Sequence, residues 1–404
     1  MTAIDMTPVQ PKERINEIDI VRGIALFGIL MVNMSFFKYP VFFDRYPTSF
    51  PPGSDQFFAW FIQIFFTGKF YAIFSFLFGL GFYIFMERVE AKGLELVPLY
   101  KRRLLALLAF GSVHLFLVWS GDILFTYAIV GFLLLSFRNK SIDSIRKWII
   151  SLFVVSLILN FLFGLISGVG EMFAGDKYAL IMEDMIYGAI PVYLEGSLTE
   201  LIGFRLINEV PYVFIGLIAW VPAVLAFFLC GLYVGKSGIV KNIPGNIPLL
   251  RRVRNYGLPV GFTIMLIYVL IESGVLPVGI LLRPALLGAT NYAASIFIFP
   301  AYVSLIVLAA QTEFWKKILS PVAAAGRMAL TNYLTQTLIC VTIFYGFGFG
   351  LYGSVSATQG VLIVITIYLL QVIWSNLWFR KFRYGPMEWF WRTLTYKKRE
   401  PFIK

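Results

Sequence analysis

IDIVRGIALFGILMVNM, residues 18–34, is apolar and long enough to form a membrane-crossing helix, yet it carries Asp19, Arg22 and Asn33. A bilayer span takes about 20 mostly apolar residues, and a lipid-facing guanidinium at mid-membrane costs at least ~2.5–3.5 kcal/mol. Arg22 and Asn33 are eleven residues apart, close to three full turns, so one helix face presents both, about 16 Å apart along the axis. That face is expected to look into a protein interior. Asp19, three residues before Arg22, is placed to pair with it. The alternative is an Arg that snorkels to the membrane surface and an Asn that packs helices.

The rest of the chain agrees with a membrane setting. Of its 404 residues, 59% are hydrophobic and 14% charged, against ~25% charged in soluble domains, and mean hydropathy is +0.80. Several apolar runs reach span length, and the ten-residue alternation of a β-barrel is absent. The fold class expected is an all-α polytopic membrane protein with about ten transmembrane helices and both termini cytoplasmic. The spans are read at about 18–37, 70–87, 103–119, 123–137, 148–168, 211–235, 257–273, 288–310, 328–347 and 358–379. An interfacial helix precedes Gly68-Lys69. Residues 1–17 form a polar tail with no cleavable signal peptide, 18–379 the helical domain, and 380–404 a basic tail. Within the domain, 170–210 is an outer segment of short amphipathic helices, rich in acids.

Charge supports this topology. It places 27 Lys/Arg in cytoplasmic ends and loops and 5 in outer loops, Lys38, Arg45, Lys177, Arg205 and Arg283, as the positive-inside rule requires. The net charge of +12 is thereby assigned to anionic inner-leaflet lipids and not to nucleic acid. Cys230 and Cys340 lie in apolar runs and read as packing residues without a disulfide. With one histidine and no Cys/His cluster, no metal site is expected. No convincing internal repeat, Walker loop or nucleophile elbow is present.

That single histidine is His114, in FGSVHLFLVWSGDIL. Asp122 follows eight residues on, past a glycine, where a hairpin between two spans brings the two close. A carboxylate beside an imidazole orients it and raises its basicity, which suits a general base. The alternative is a structural histidine with Asp122 capping the next helix. Asn33 is placed to join them, and His114 and Arg22 are expected to open into one hydrophilic cavity. Lys69, at a helix break, is an interfacial anchor or an anion ligand. Asn332 and Gln336, four apart on one face, glue helices or line the cavity. In the tail, RYGPMEWFWR puts Glu388 and Arg392 on one face and reads as an aromatic plug at the cytoplasmic surface.

Five stretches carry a resemblance: VRGIALFGILMVNM, GKFYAIFSFLFGLGFY, HLFLVWSGDILFTYAIVG, GRMALTNYLTQTLIC and FRYGPMEWFWR. Together they resemble the YeiB-type family of bacterial inner-membrane proteins, a domain of unknown function. The first span also resembles that of transmembrane acyltransferases such as heparan-α-glucosaminide N-acetyltransferase, with Asp19, Arg22 and Asn33 at the matching positions. That resemblance implies acyl-CoA, such as acetyl-CoA, bound from the cytoplasm and an acyl group passed to an acceptor on the far side. Arg22, Lys101, Arg102, Arg103 and Arg327 would then meet the CoA phosphates, Asn33 would stabilise the oxyanion, and His114 with Asp122 would deprotonate a hydroxyl or amine. The acetyltransferase carries its catalytic histidine soon after the Asn; here that region reads FFKYPVFFDRYP, and only His114 can serve. The competing expectations are a transporter of a small organic solute, with His114, Asp122 and Lys69 as its relay, and a non-catalytic lipid-binding envelope protein. A second copy of the chain is an admissible partner.

Overall fold

The computed structural model describes residues 15–40 and 47–404. The tail 1–14 and the loop residues Asp44 and Arg45 lie outside the described residues. Fifteen α-helices follow one another: α1 Asn16–Lys38, α2 Ser54–Phe65, α3 Phe70–Ala91, α4 Leu96–Val113, α5 Leu124–Leu134, α6 Ile142–Ala174, α7 Asp176–Glu195, α8 Leu198–Asn208, α9 Val210–Lys236, α10 Ile247–Glu272, α11 Arg283–Ala310, α12 Glu313–Arg327, α13 Ala329–Phe344, α14 Ala357–Lys381 and α15 Pro386–Tyr396. The described residues form no strand beyond the single bridge between Phe382 and Ile403.

Among the described residues, seven stretches are long and apolar enough to cross a membrane: Asn16–Lys38, Ser54–Ala91, Ile142–Ala174, Leu198–Lys236, Pro244–Glu272, Arg283–Ala310 and Ala357–Lys381. Leu124–Phe137 and Ala329–Phe344 are shorter apolar helices, and α4 carries the triplet Lys101-Arg102-Arg103 within its length. The chain is an all-helical membrane protein.

Two of these helices show how burial follows polarity. The apolar window of α1, the helix with Asp19 and Arg22, is 61% buried, whereas that of α6 is 6% buried. A helix that is apolar all round with bare flanks belongs against lipid, and one that carries a guanidinium belongs inside. α1 is therefore the central post, packed against α3, α11, α12, α13 and α14. Its crossing with α12 is a backbone contact: a Cβ on Gly326 would stand 2.0 Å from the Asp19 carbonyl oxygen. Only glycine lets the two helices approach this closely. α14 is started by a capping box, Ser356 with Gln359. Amides join it to α13: Gln336 Nε2 donates to Gln371 Oε1 at 2.8 Å, and Asn332 Nδ2 to Ser375 Oγ at 3.1 Å.

Candidate functional site

The His114 segment is built by the α4–α5 hairpin. A Cβ on Gly111 would meet the Phe125 backbone at 2.3 Å, so the two helices cross with no side chain between them. α4 ends in a π-helical turn, His114–Val118, closed by the Trp119 N–H donating to the His114 carbonyl at 2.7 Å. Such wide turns leave the regular helix ladder and re-aim side chains. His114 Nδ1 meets Asp122 Oδ2 at 2.7 Å, and Nε2 meets Thr337 Oγ1 of α13 at 3.0 Å. Asp122 Oδ1 also accepts the Phe125 N–H at 2.6 Å. Asp122 thus both caps α5 and orients the imidazole. With Nδ1–H donating to the carboxylate, Nε2 carries the lone pair and accepts from the Thr337 hydroxyl. The imidazole is 3% exposed.

A second layer fixes this segment from outside. Arg205 donates to the carbonyls of Leu117, at 2.8 Å, and Val118. Ser120 donates to the buried Glu209, as does the Tyr193 hydroxyl at 2.6 Å. Phe37 of α1 stacks on Trp119 at 4.0 Å.

A cavity of about 960 Å³ lies between α1, α3, α4, α5, α13 and α15. Its rim holds Arg22, Arg103, Arg327, Arg383, Arg392 and Lys404 against one carboxylate, Glu388. Arg22 pairs with Asp19 at 3.0 Å, as their spacing predicts. The guanidinium of Arg103 lies 3.7 Å from the Trp391 ring, whose Nε1 donates to the Arg103 carbonyl at 2.8 Å. Glu388 is engaged elsewhere: it accepts the N–H groups of Leu330 (2.7 Å) and Thr331 (3.1 Å) and the Thr331 hydroxyl (2.6 Å), at the start of α13. Burial pushes its carboxyl above the usual range, against the pull of those hydrogen bonds. Deeper in, the lining is apolar and aromatic, with Ile29, Phe74, Leu77, Phe78, Leu107, Ile123, Leu124, Tyr127 and Tyr333. Arginines suit a phosphate-bearing group and the apolar depth suits a chain, the pattern of a pocket for an anionic amphiphile.

The expectation of one opening shared by His114 and Arg22 is corrected. Arg22 lines the cavity and His114 does not, because the Tyr333 ring fills the space between, 5.4 Å from the imidazole centre to centre. Asn33 lies on the expected face of α1, half-buried, but the cavity follows that helix only to Ile29, one turn short. Of the basic triplet only Arg103 reaches the cavity; Lys101 is exposed and Arg102 half-buried, neither lining it. Arg327 does line it. Lys69 is fully buried elsewhere, donating to the Asn291 side chain at 3.0 Å and the Gln63 carbonyl at 3.2 Å. Asn332 and Gln336 are spent on joining α13 to α14 and lie off the lining.

Sequence reading missed part of the site. The tail folds back, so that Arg383, Arg392 and Lys404 join the rim; the plug-like aromatics of the tail were the signal. It also missed the tyrosines Tyr100 and Tyr333, which line the cavity with their rings while their hydroxyl oxygens are themselves buried. No sequence pattern marks these two.

Comparison with known proteins matches residues 234–398 to a family described as a protein of unknown function, DUF418. "Uncharacterized protein YxaH" of Bacillus subtilis (strain 168) is 35% identical over 99% of this chain and 98% of its own length. "Uncharacterized protein YeiB" of Escherichia coli (strain K12) is 30% identical over 97% and 98%. A 39.9 kDa protein of Bacillus acidopullulyticus, from the amylase 3′ region, is 27% identical over 98% of both chains.

Proposed function

This chain belongs to the YeiB-like family of DUF418 proteins, and we propose that it is a membrane acyltransferase. It takes an acyl group from acyl-CoA bound at the Arg-lined rim and delivers it to a hydroxyl or amine at the His114 end. The observation that carries this reading is a single cavity, cationic at its rim and apolar within, that ends one aromatic ring from a buried His–Asp pair. In our reading ten helices cross the bacterial cytoplasmic membrane, with α4, α5 and α13 among them. Both termini and the rim then lie on the cytoplasmic side, where acyl-CoA is made available.

The chemistry follows from the groups present. Arg22, Arg103, Arg327 and Arg392 hold the phosphates. His114 Nε2 takes the proton of the acceptor, which displaces the Thr337 hydroxyl from that nitrogen, while Asp122 stabilises the imidazolium. The acceptor oxygen or nitrogen bonds to the acyl carbon, the carbon–sulfur bond breaks, and the proton passes from His114 to the leaving sulfur. The test is acyl-CoA turnover by the purified chain in lipid nanodiscs. His114→Ala is expected to lower turnover by about 10²–10⁴-fold with binding of acetyl-CoA retained. Equal turnover by wild type and His114→Ala, or no binding of any acyl-CoA by wild type, overturns the reading.

A further inference from the structure

The π-helical turn His114–Val118 ends abruptly: Trp119 has extended backbone, with φ −160° and ψ 130°. The carbonyls of Leu117 and Val118 therefore have no helical N–H ahead of them. Unpaired carbonyls are costly in an apolar setting, and a cation is the group that a helix C-terminus favours. Arg205 supplies one from α8. Its two terminal nitrogens donate one to each of these carbonyls, and the residue is 1% exposed. Glu209, one turn on from Arg205, takes the Ser120 hydroxyl from the link that follows the turn. Only Trp119, Ser120 and Gly121 separate the capped turn from Asp122. The angle at which the chain leaves the turn thus decides where the Asp122 carboxylate stands, and its 2.7 Å contact with His114 Nδ1 depends on that angle.

We infer that Arg205 is a positioning residue: by capping the two carbonyls it sets the exit of the chain, holds Asp122 against Nδ1, and so fixes the tautomer in which Nε2 keeps its lone pair. For its purpose this rests on the acyl-transfer reading, in which Nε2 takes the proton of the acceptor; the geometry itself needs no substrate. Arg205 does not line the cavity, so it acts through the turn alone. The planar fork of a guanidinium matches two successive carbonyls, whereas a lysine ammonium is a point donor that serves one of them. The basicity of an imidazole between α4 and α13 is thereby set by a helix of the outer segment, about ninety positions along the chain.

The chain holds one histidine, so ¹⁵N-histidine labelling and magnetic resonance report His114 alone. The full-length protein in nanodiscs is compared as wild type, Arg205→Lys, Arg205→Gln and Arg283→Lys, at neutral pH and well below each thermal midpoint. Wild type is expected to show a single neutral tautomer, protonated at Nδ1. Arg205→Lys, which keeps the charge and one of the two bonds, is expected to show both tautomers, and Arg205→Gln chiefly the other. Arg283→Lys makes the same change at a distant buried pair, where Arg283 donates to Glu272 at 2.7 Å, and is expected to leave the His114 signal as in wild type. Turnover of acetyl-CoA is expected to fall about 100-fold in Arg205→Gln, the cost of a reacting group displaced by about 1 Å, in kcat and with KM kept within about threefold. A spectrum unchanged in Arg205→Lys, a wild type held in any other form, or an equal change in Arg283→Lys overturns the inference; if Arg205→Gln does not fold, Arg205→Lys decides it alone. The expected spectra with no turnover by wild type leave the positioning role standing and overturn acyl transfer. An unchanged spectrum in Arg205→Lys with turnover lost in His114→Ala does the reverse.

Discussion

The His114 pocket and the Arg-lined rim are both rich in polar side chains, and they are built on opposite terms. At the His114 end, each imidazole nitrogen, both oxygens of Asp122 and both oxygens of Glu209 have protein partners. At the rim, the cations rest mostly on aromatic faces: Arg103 on Trp391, Arg327 on Phe379, and Arg392 on Tyr384 and Tyr396. Carboxylates meet part of the rim, Asp19 pairing with Arg22 at 3.0 Å and Glu400 with Arg392 at 3.4 Å, while Glu388 is held at the start of α13. The first region closes its polar groups on one another; the second gathers six cationic side chains, more than the carboxylates that meet them, around one cavity.

Substitutions at three places break or sharpen this contrast. The largest effect is expected from reversing two rim charges together, Arg103→Glu with Arg327→Glu. Hydrogen bonds to charged groups contribute about 1.5–3 kcal/mol each, so acetyl-CoA affinity should fall at least about 100-fold. Titration calorimetry at low and high salt checks this; equal affinity in the double variant would remove the rim from the binding site.

Gly81 sharpens the contrast within the cavity. It lies inside α3 and lines the cavity, and a Cβ built on it meets nothing within 4 Å. A side chain here fills the channel without pressing on the protein. Gly81→Phe is expected to weaken acetyl-CoA binding by at least tenfold while adenosine 3′,5′-bisphosphate, which needs only the rim, binds as to wild type. Gly81→Ala should bind both and raise stability by about 0.5–1 kcal/mol through helix propensity. Loss of both ligands in Gly81→Phe would mean that the rim and the depth are not separate subsites.

The smallest effect is expected at Gln336. Gln336→Leu removes the donor to Gln371 and should cost about 0.6–1.7 kcal/mol of stability, the range for interhelical hydrogen bonds in membranes, with acetyl-CoA affinity unchanged. A lost affinity at constant stability would move this amide from helix packing into the site.

Several of these features were legible in the chain. The polar face of the first helix, its Asp19–Arg22 pair and the nearness of His114 to Asp122 all follow from helical period and a tight Gly-Asp turn, which are local. The amides of α13 were legible only as alternatives, because a face of Asn332 and Gln336 says that something polar is met and not what. Tyr333 was invisible because a tyrosine in an apolar span looks like any other packing residue until the packing of α13 sets its ring against both the cavity and His114.

Composition and period were thus enough to make this an all-helical membrane protein and to turn Arg22 inward, since both depend on what each residue costs in lipid and on where 100° per residue carries it. Which inward faces share a volume was decided by the crossings. The glycine contact of α12 on α1 sets Arg327 beside Arg22, the return of the tail adds Arg392 and Lys404, and the depth of the channel leaves Asn33 out. Those contacts join residues hundreds of positions apart, and no local rule of spacing reaches across that distance.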